Sequence, residues 1–218
     1  MVTRPVFVPS IKHGSLYEWV PVEFEWYPGF ATSQKQKSIQ SLHSSAQKMN
    51  IFPILEVSTK SPLEVGRRLS AFSLKLEVDG RLRTLESVYQ GSKVFSESGQ
   101  HIELLDLDPF TAKKRIRELA RGKIVAFRCF GQDFPTEPKN AFYDWLYIRA
   151  IYPHRNWVEK NIDFYAYSDI EFNPQKSINC QARAVAEYKS LEIQGSSLEC
   201  FEDFDVFHRL LQYAQVRE

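Results

Sequence analysis

The chain has 218 residues, of which 43% are hydrophobic and 25% charged, the balance of an ordinary soluble globular protein with one sizeable core. No apolar run approaches the roughly 20 residues that a membrane helix requires, so a membrane-spanning helix is not expected. A formal net charge of +1 excludes a protein that coats nucleic acid by bulk electrostatics but leaves room for a local basic groove.

The first fifty residues predict strand, loop and helix. Val20, Val22, Phe24 and Trp26 alternate with Pro21, Glu23 and Glu25, a half-buried strand that Pro21 pushes toward a sheet edge. Tyr27 to Phe30 reads as a turn, and Thr32 or Ser33 can cap a helix carrying Ile39, Leu42, Ala46 and Met49. A short strand is expected near Leu55 to Val57. Ser61-Pro62-Leu63-Glu64 then supplies a capping residue, proline at the first helical position and an acid at the third, which predicts a helix from Ser61 to about Ser70. Alternation of Phe72, Leu74, Leu76 and Val78 predicts a strand, Asp79-Gly80 a hairpin turn, and Arg81 to Thr84 the returning strand.

The helix expected next, over Leu85 to Phe95, separates two stripes. Leu85, Val88, Tyr89 and Ser92 fall at i, i+3, i+4 and i+7, the spacing of a buried face. Glu86, Gln90 and Lys93 fall at i, i+4 and i+7, about 100° round the same helix. An ordinary solvated face shows a polar stripe too. Here, however, the acid and the base are seven residues apart rather than three or four, and Gly91 in the helix interior points to close packing or binding against the backbone. The stripe can line a cleft.

Asp108-Pro109 opens a further helix that closes before Gly122, and its Lys113, Lys114, Arg115, Arg117 and Arg121 make it the most basic segment, a pattern also typical of a solvated face. A helix from about Glu137 to Ile151 carries Phe142, Trp145, Leu146 and Ile148 toward a core, with Asp144 beside its largest aromatic. Phe164 to Phe172 reads as a strand that places Asp169 and Glu171 on one face and Ile170 and Phe172 on the other. Helices from Ser177 to Leu191 and from Asp203 to Ala214 follow, joined by a linker at residues 193–197. The fold class is therefore α+β, one domain over residues 1–218, with several helices around a small, mostly antiparallel sheet and a C-terminal helical segment near residues 198–216.

Cys129, Cys180 and Cys200 form no Cys-x-x-Cys pair, and the five histidines are scattered, so neither a disulfide framework, a metal site nor a histidine triad is expected. With an N-terminus that lacks the apolar core of a signal peptide, the thiols fit a reducing, cytoplasmic location.

Taken in order, Gly29-Phe30 with Gln34 to Ile39, Leu69 to Phe72, Glu86 with Tyr89 to Phe95, Glu137-Pro138 with Ala141 to Tyr147, and Asp169 to Pro174 running into Lys176 to Arg183 resemble the NADAR family. More narrowly they look like its branch that serves as antitoxin beside a DarT-type DNA ADP-ribosyltransferase. The likeness spans about residues 24 to 191. The chain departs from the branch in having Ser87-Val88 where a small Cys-Ala pair is expected, and in lacking a Gly-rich turn with Pro-Tyr after Phe95.

The resemblance implies an N-glycosidase that frees ADP-ribose from the amino group of guanine in DNA, without a cofactor, and so reverses a cognate toxin. It makes Glu86 the leading acid/base residue. Lys93 either orients phosphate or ribose oxygens or attacks the anomeric carbon, and Asp144, Asp169 and Glu171 either hold ribose hydroxyls or complete the acid/base set. Gln90 belongs to the same stripe. Lys113, Arg115 and Arg183 are candidates for the diphosphate, and Trp26, Phe30, Tyr89 and Trp145 for stacking, although Trp145 also fits a core position. A modified guanine amino group is crowded in a duplex, so a single-stranded or flipped-out nucleotide is the expected bound form. Two alternatives stay open: an N-glycosidase for small ribosylated nucleotides or metabolites, and a non-catalytic antitoxin that binds toxin or DNA.

Overall fold

The computed structural model describes residues 1–215. It opens with two antiparallel strands, β1 (Val2–Pro9) and β2 (Tyr17–Phe24), paired from Val2↔Phe24 to Pro9↔Tyr17. Pro5 and Pro21 face each other in this ladder, where neither can donate a hydrogen bond, away from Phe7, at which β1 meets its second neighbour. The prolines conceal β1 in the sequence. Helix α1 (Thr32–Gln47) buries Ile39, Leu42 and Ala46. It starts after Ala31 with no side-chain cap, so Thr32 and Ser33 lie inside its first turn, and Met49 is exposed beyond its end. Strand β3 (Ile54–Glu56) is wholly buried.

Helix α2 (Glu64–Arg68) is shorter than the capping signal implies, because Ser61 does not cap it: Ser61 N donates to Ser58 O, and Arg67 Nη1 donates to the carbonyls of Ser61 and Pro62. Strands β4 (Lys75–Val78) and β5 (Arg81–Thr84) form the expected hairpin, its turn residues Asp79 and Gly80 at φ 50° and 70°. Phe72 and Leu74 precede the strand rather than belong to it. Helix α3 (Leu85–Gly91) then ends two residues before Lys93, which instead opens strand β6 (Lys93–Phe95), paired with Phe127. A Cβ on Gly91 would lie 2.8 Å from the Leu105 side chain, so the close approach inferred from this glycine is a packing contact.

Strand β7 (Gly99–Gln100) and a 3-10 turn (Ile102–Asp106) lead to α4 (Pro109–Leu119), whose first turn is capped by Asp108 Oδ1 accepting from Phe110 N and Thr111 N. Strands β8 (Ile124–Cys129) and β9 (Gln132–Phe134) complete a sheet of order β7-β6-β8-β9. Helix α5 (Ala141–Ile151) is buried on nearly all sides and is followed by α6 (Arg155–Asn161).

Strand β10 (Ala166–Ser168) is only three residues long and lies between β1 and β3, antiparallel to the former and parallel to the latter. The longer strand expected to Phe172 does not form. Ile170 N donates to the Glu56 side chain, Glu171 N to Asp169 Oδ1 and Phe172 N to Asp169 O, so the backbone leaves the ladder and turns. Helix α7 (Gln181–Ile193) starts later than Ser177, after a loop, and the expected linker leads into α8 (Ser197–Glu202), a separate short helix that precedes α9 (Phe204–Gln215). Residue 216 of the expected last helix lies outside the described residues.

The fold is α+β, with its strands in three small, mostly antiparallel sheets rather than one. The main core is built from α5, α7 and the hairpin, a second packs α1 on the β1 sheet, and a third, Phe95, Leu104, Ala112 and Ile116, lies under α4.

Candidate functional site

Helix α3 presents its polar stripe to a cleft of about 710 Å³ rather than to open solvent. Glu86 is 3% exposed and Gln90 5%. Their spacing of four residues puts one above the other, and Gln90 Nε2 donates to Glu86 Oε1 at 2.8 Å. The other end of the amide accepts from Lys93 Nζ at 2.7 Å. An acid, an amide and an amine thus form a hydrogen-bonded row although Lys93 stands on a strand. The amine also lies 4.5 Å above the Tyr89 ring. Burial pushes Lys93 down to about 8 from an ordinary lysine's 10.5, against the pull of Glu86 and helped by the positive charges of Lys113 and Arg117.

The opposing charge on this acid comes from α4. Burial of Ala112 and Ile116 leaves Lys113 and Arg117, one residue further on in each turn, to line the cleft, and Lys113 Nζ stands 3.6 Å from Glu86 Oε1. Lys114 and Arg115 are exposed away from it.

Asp169 supplies a second buried carboxylate in the lining. Its Oδ2 accepts from both the backbone and the side chain of Gln181, at 3.3 and 3.2 Å, and Gln181 Oε1 accepts in turn from Ser70 Oγ and Ala71 N. Behind it, Glu56 accepts from Ser58 Oγ, Ser168 Oγ and Ile170 N at 2.6–2.8 Å, which fixes the turn that carries Asp169. Burial raises both carboxyls above the ordinary range, and the charge of Asp169 adds to the effect at Glu56. Ser168 Oγ is also 2.8 Å from His43 Nε2, whose imidazole burial pushes down to about 4. Glu171, partly exposed, pairs with Lys35 at 3.2 Å on the same wall.

Tyr89 lines the cleft with its hydroxyl accepting from Asn179 Nδ2 at 2.6 Å, and Phe30, 97% exposed, stands at the mouth. The remaining sequence candidates lie outside the lining. Asp144 is fully buried, its Oδ2 2.9 Å from Arg183 Nη2 and bonded by Asn140 Nδ2 at 2.6 Å. Arg183 also faces Glu187 and donates to Ile178 O at 2.7 Å, so this ion pair secures the loop of Lys176, Ser177 and Asn179 from behind and does not face the cleft. Trp145 is core, its ring nitrogen donating to Cys200 O. Trp26 lies under Lys35, 4.8 Å from Nζ to ring.

Sequence reasoning missed Lys35, Asn179 and Gln181 as site residues, although all lie within the strings that carry the family likeness, and it missed Glu56, whose signal is an acid inside the apolar run Ile54-Leu55-Glu56-Val57. Among the described residues no group of three His, Cys, Asp or Glu side chains is placed to hold a metal, and no helix is long and apolar enough to cross a membrane. A second cavity, of about 520 Å³ beside Leu69, Leu74 and Trp157, is lined by no carboxylate.

An α+β fold with a cation-rich cleft, two buried carboxylates and an amine of lowered pKa defines a protein equipped to bind an anionic ligand and move protons against it. Over residues 2–218 the chain matches the NADAR-DarT1 family, DarT1-associated NADAR antitoxin, and it belongs to that family. No curated protein matches it.

Proposed function

We propose that the protein is an N-glycosidase that removes ADP-ribose from the amino group of guanine in DNA, and that it acts as antitoxin to a DNA ADP-ribosyltransferase. The observation that carries the reading is the row Glu86–Gln90–Lys93, in a cleft also lined by Asp169, Lys113 and Arg117. Breaking the bond from the anomeric carbon to the guanine nitrogen requires a proton for the leaving nitrogen, support for a cationic carbon and a nucleophile.

Both contacts of the Glu86 side chain fall on Oε1, which leaves Oε2 to shuttle a proton to the departing amino nitrogen. Asp169, in the lining of the same cleft, sets negative charge against the oxocarbenium-like carbon. Lys113 and Arg117 take the diphosphate. At pH 7 an amine with pKa about 8 is roughly one-tenth neutral, enough to attack. In that step the bond from Lys93 Nζ to the anomeric carbon forms as the bond to the guanine nitrogen breaks, Glu86 takes a proton from Nζ and passes it to the ring oxygen as the sugar opens to a Schiff base, and water then adds to that imine, releasing ADP-ribose and restoring the amine. Gln90 holds the amine and the acid in register.

The test is to incubate the protein with an oligonucleotide bearing ADP-ribosylated guanine and, separately, with ribosylated small nucleotides, and to follow products by mass spectrometry. Equal amounts of free ADP-ribose and restored guanine from the oligonucleotide are expected. Cleavage of the small nucleotides alone would move the substrate to metabolites, and protection of toxin-treated cells without product would make the protein a non-catalytic binder.

A further inference from the structure

We infer that the mouth of the cleft is a platform for unmodified single-stranded nucleic acid flanking the modified nucleotide, with Phe30 and Phe110 each stacking on a base and the neighbouring cations taking phosphates. The inference rests on the reading that the modified nucleotide occupies the cleft.

Two large apolar side chains in the cleft lining face water: Phe30 is 97% exposed and Phe110 65%. Neither sits on a loose segment. The turn bearing Phe30 is pinned to α1 by Tyr27 N donating to Ser38 Oγ and by Gln34 N donating to Ala31 O, with Gly29 at φ 128° providing the bend. Phe110 is in the capped first turn of α4 and rests on Phe72 at 4.6 Å between ring centroids. Rings carried on an anchored backbone and left in water have the form of contact surfaces waiting for a flat partner.

Each ring is followed in the chain by cations that line the same cleft, Lys35 in the first turn of α1 after Phe30, and Lys113 with Arg117 on α4 after Phe110. With Lys60, Lys93 and Lys176 the lining holds six cationic side chains against three acids, Glu86, Asp169 and Glu171, in a chain whose totals are 28 and 27. This local excess calls for a polyanion, and rings beside it call for exposed base faces. A duplex hides those faces in its stack, whereas a single strand offers both at once. An acidic protein surface would satisfy the cations but gives no use for the two rings.

The test uses fluorescence anisotropy with a labelled, unmodified single strand and its matched duplex, against the full chain and its Phe30→Ala, Phe110→Ala and Phe30→Trp variants, with thermal melting to verify folding. The single strand is expected to bind more tightly than the duplex. Each alanine should weaken it by roughly 5- to 100-fold, the loss of one base–ring stack. Tryptophan at position 30 should bind at least as well as wild type, a rescue that charge alone does not give. Alanine variants that bind like wild type, a duplex that binds as tightly, or a Phe30→Ala defect confined to capture of a purified ADP-ribosyltransferase would each overturn the inference. If ring-dependent binding appears without hydrolysis, the glycosidase reading fails and the platform stands; hydrolysis with ring-independent binding gives the reverse.

Discussion

Lys93→Met should abolish turnover and yet make the protein more stable at neutral pH. The buried amine titrates at about 8 instead of the 10.5 of an ordinary lysine. At roughly 1.4 kcal/mol per pH unit this corresponds to about 3 kcal/mol against the folded, charged form. Below pH 8 the amine is protonated in both folded and unfolded chains, so the folded state bears the full cost. Between pH 8 and 10.5 the unfolded chain holds more protons, and wild-type stability climbs until the cost is gone. Methionine fills the same space without charge. It leaves Gln90 Oε1 without its donor, a loss of about 1 kcal/mol that cleft water partly offsets. The net gain is about 2 kcal/mol at pH 7, or roughly 4–8 °C in Tm for a chain of this size. Thermal melts of both proteins at pH 7 and pH 10 measure it. A variant that melts below wild type at pH 7, or an advantage that persists unchanged at pH 10, would show that the buried charge does not carry this cost.

Gly91→Ala should destabilise the fold by about 1–3 kcal/mol in chemical denaturation, because the new Cβ would lie 2.9 Å from the Leu105 backbone nitrogen, which cannot turn aside. Lys113→Ala with Arg117→Ala should flatten the salt dependence of single-strand binding by about 0.7 in log–log slope per charge removed, whereas Lys114→Ala with Arg115→Ala should change it far less; equal slopes for the two pairs would show that α4 meets the strand with its outer face. Turnover should survive EDTA, since proton transfer by Glu86 and Lys93 calls for no metal. Loss on chelation with recovery on adding a divalent cation would contradict that.

What could be read from the sequence was local in cause. The Asp79-Gly80 hairpin, the Asp108 cap and the Glu86–Gln90 contact each depend on residues two to four positions apart. The features that escaped depend on distant partners. Lys93 leaves the helix for a strand where Leu105 crowds Gly91 and Phe127 offers a pairing partner. Asp144 reads as a cleft acid beside an aromatic until Arg183, 39 residues on, is seen to bury it in an ion pair. Asp169 and Glu171 leave their strand because Glu56, more than a hundred residues earlier, takes the Ile170 N–H from the ladder. The choice of Lys113 and Arg117 over Lys114 and Arg115 was within reach, since the Ala112 and Ile116 stripe sets the buried face of α4.

In the proposed reaction Glu86 delivers the proton on which release of the guanine nitrogen depends. Single-turnover cleavage of an oligonucleotide bearing ADP-ribosylated guanine, by wild type and by Glu86→Gln at saturating protein, tests it most directly. Glutamine keeps the shape and the contact with Gln90 and cannot carry the proton, so the expected rate is lower by on the order of 10²-fold or more, with oligonucleotide affinity and melting temperature close to wild type. A Glu86→Gln protein that cleaves at the wild-type rate would contradict it.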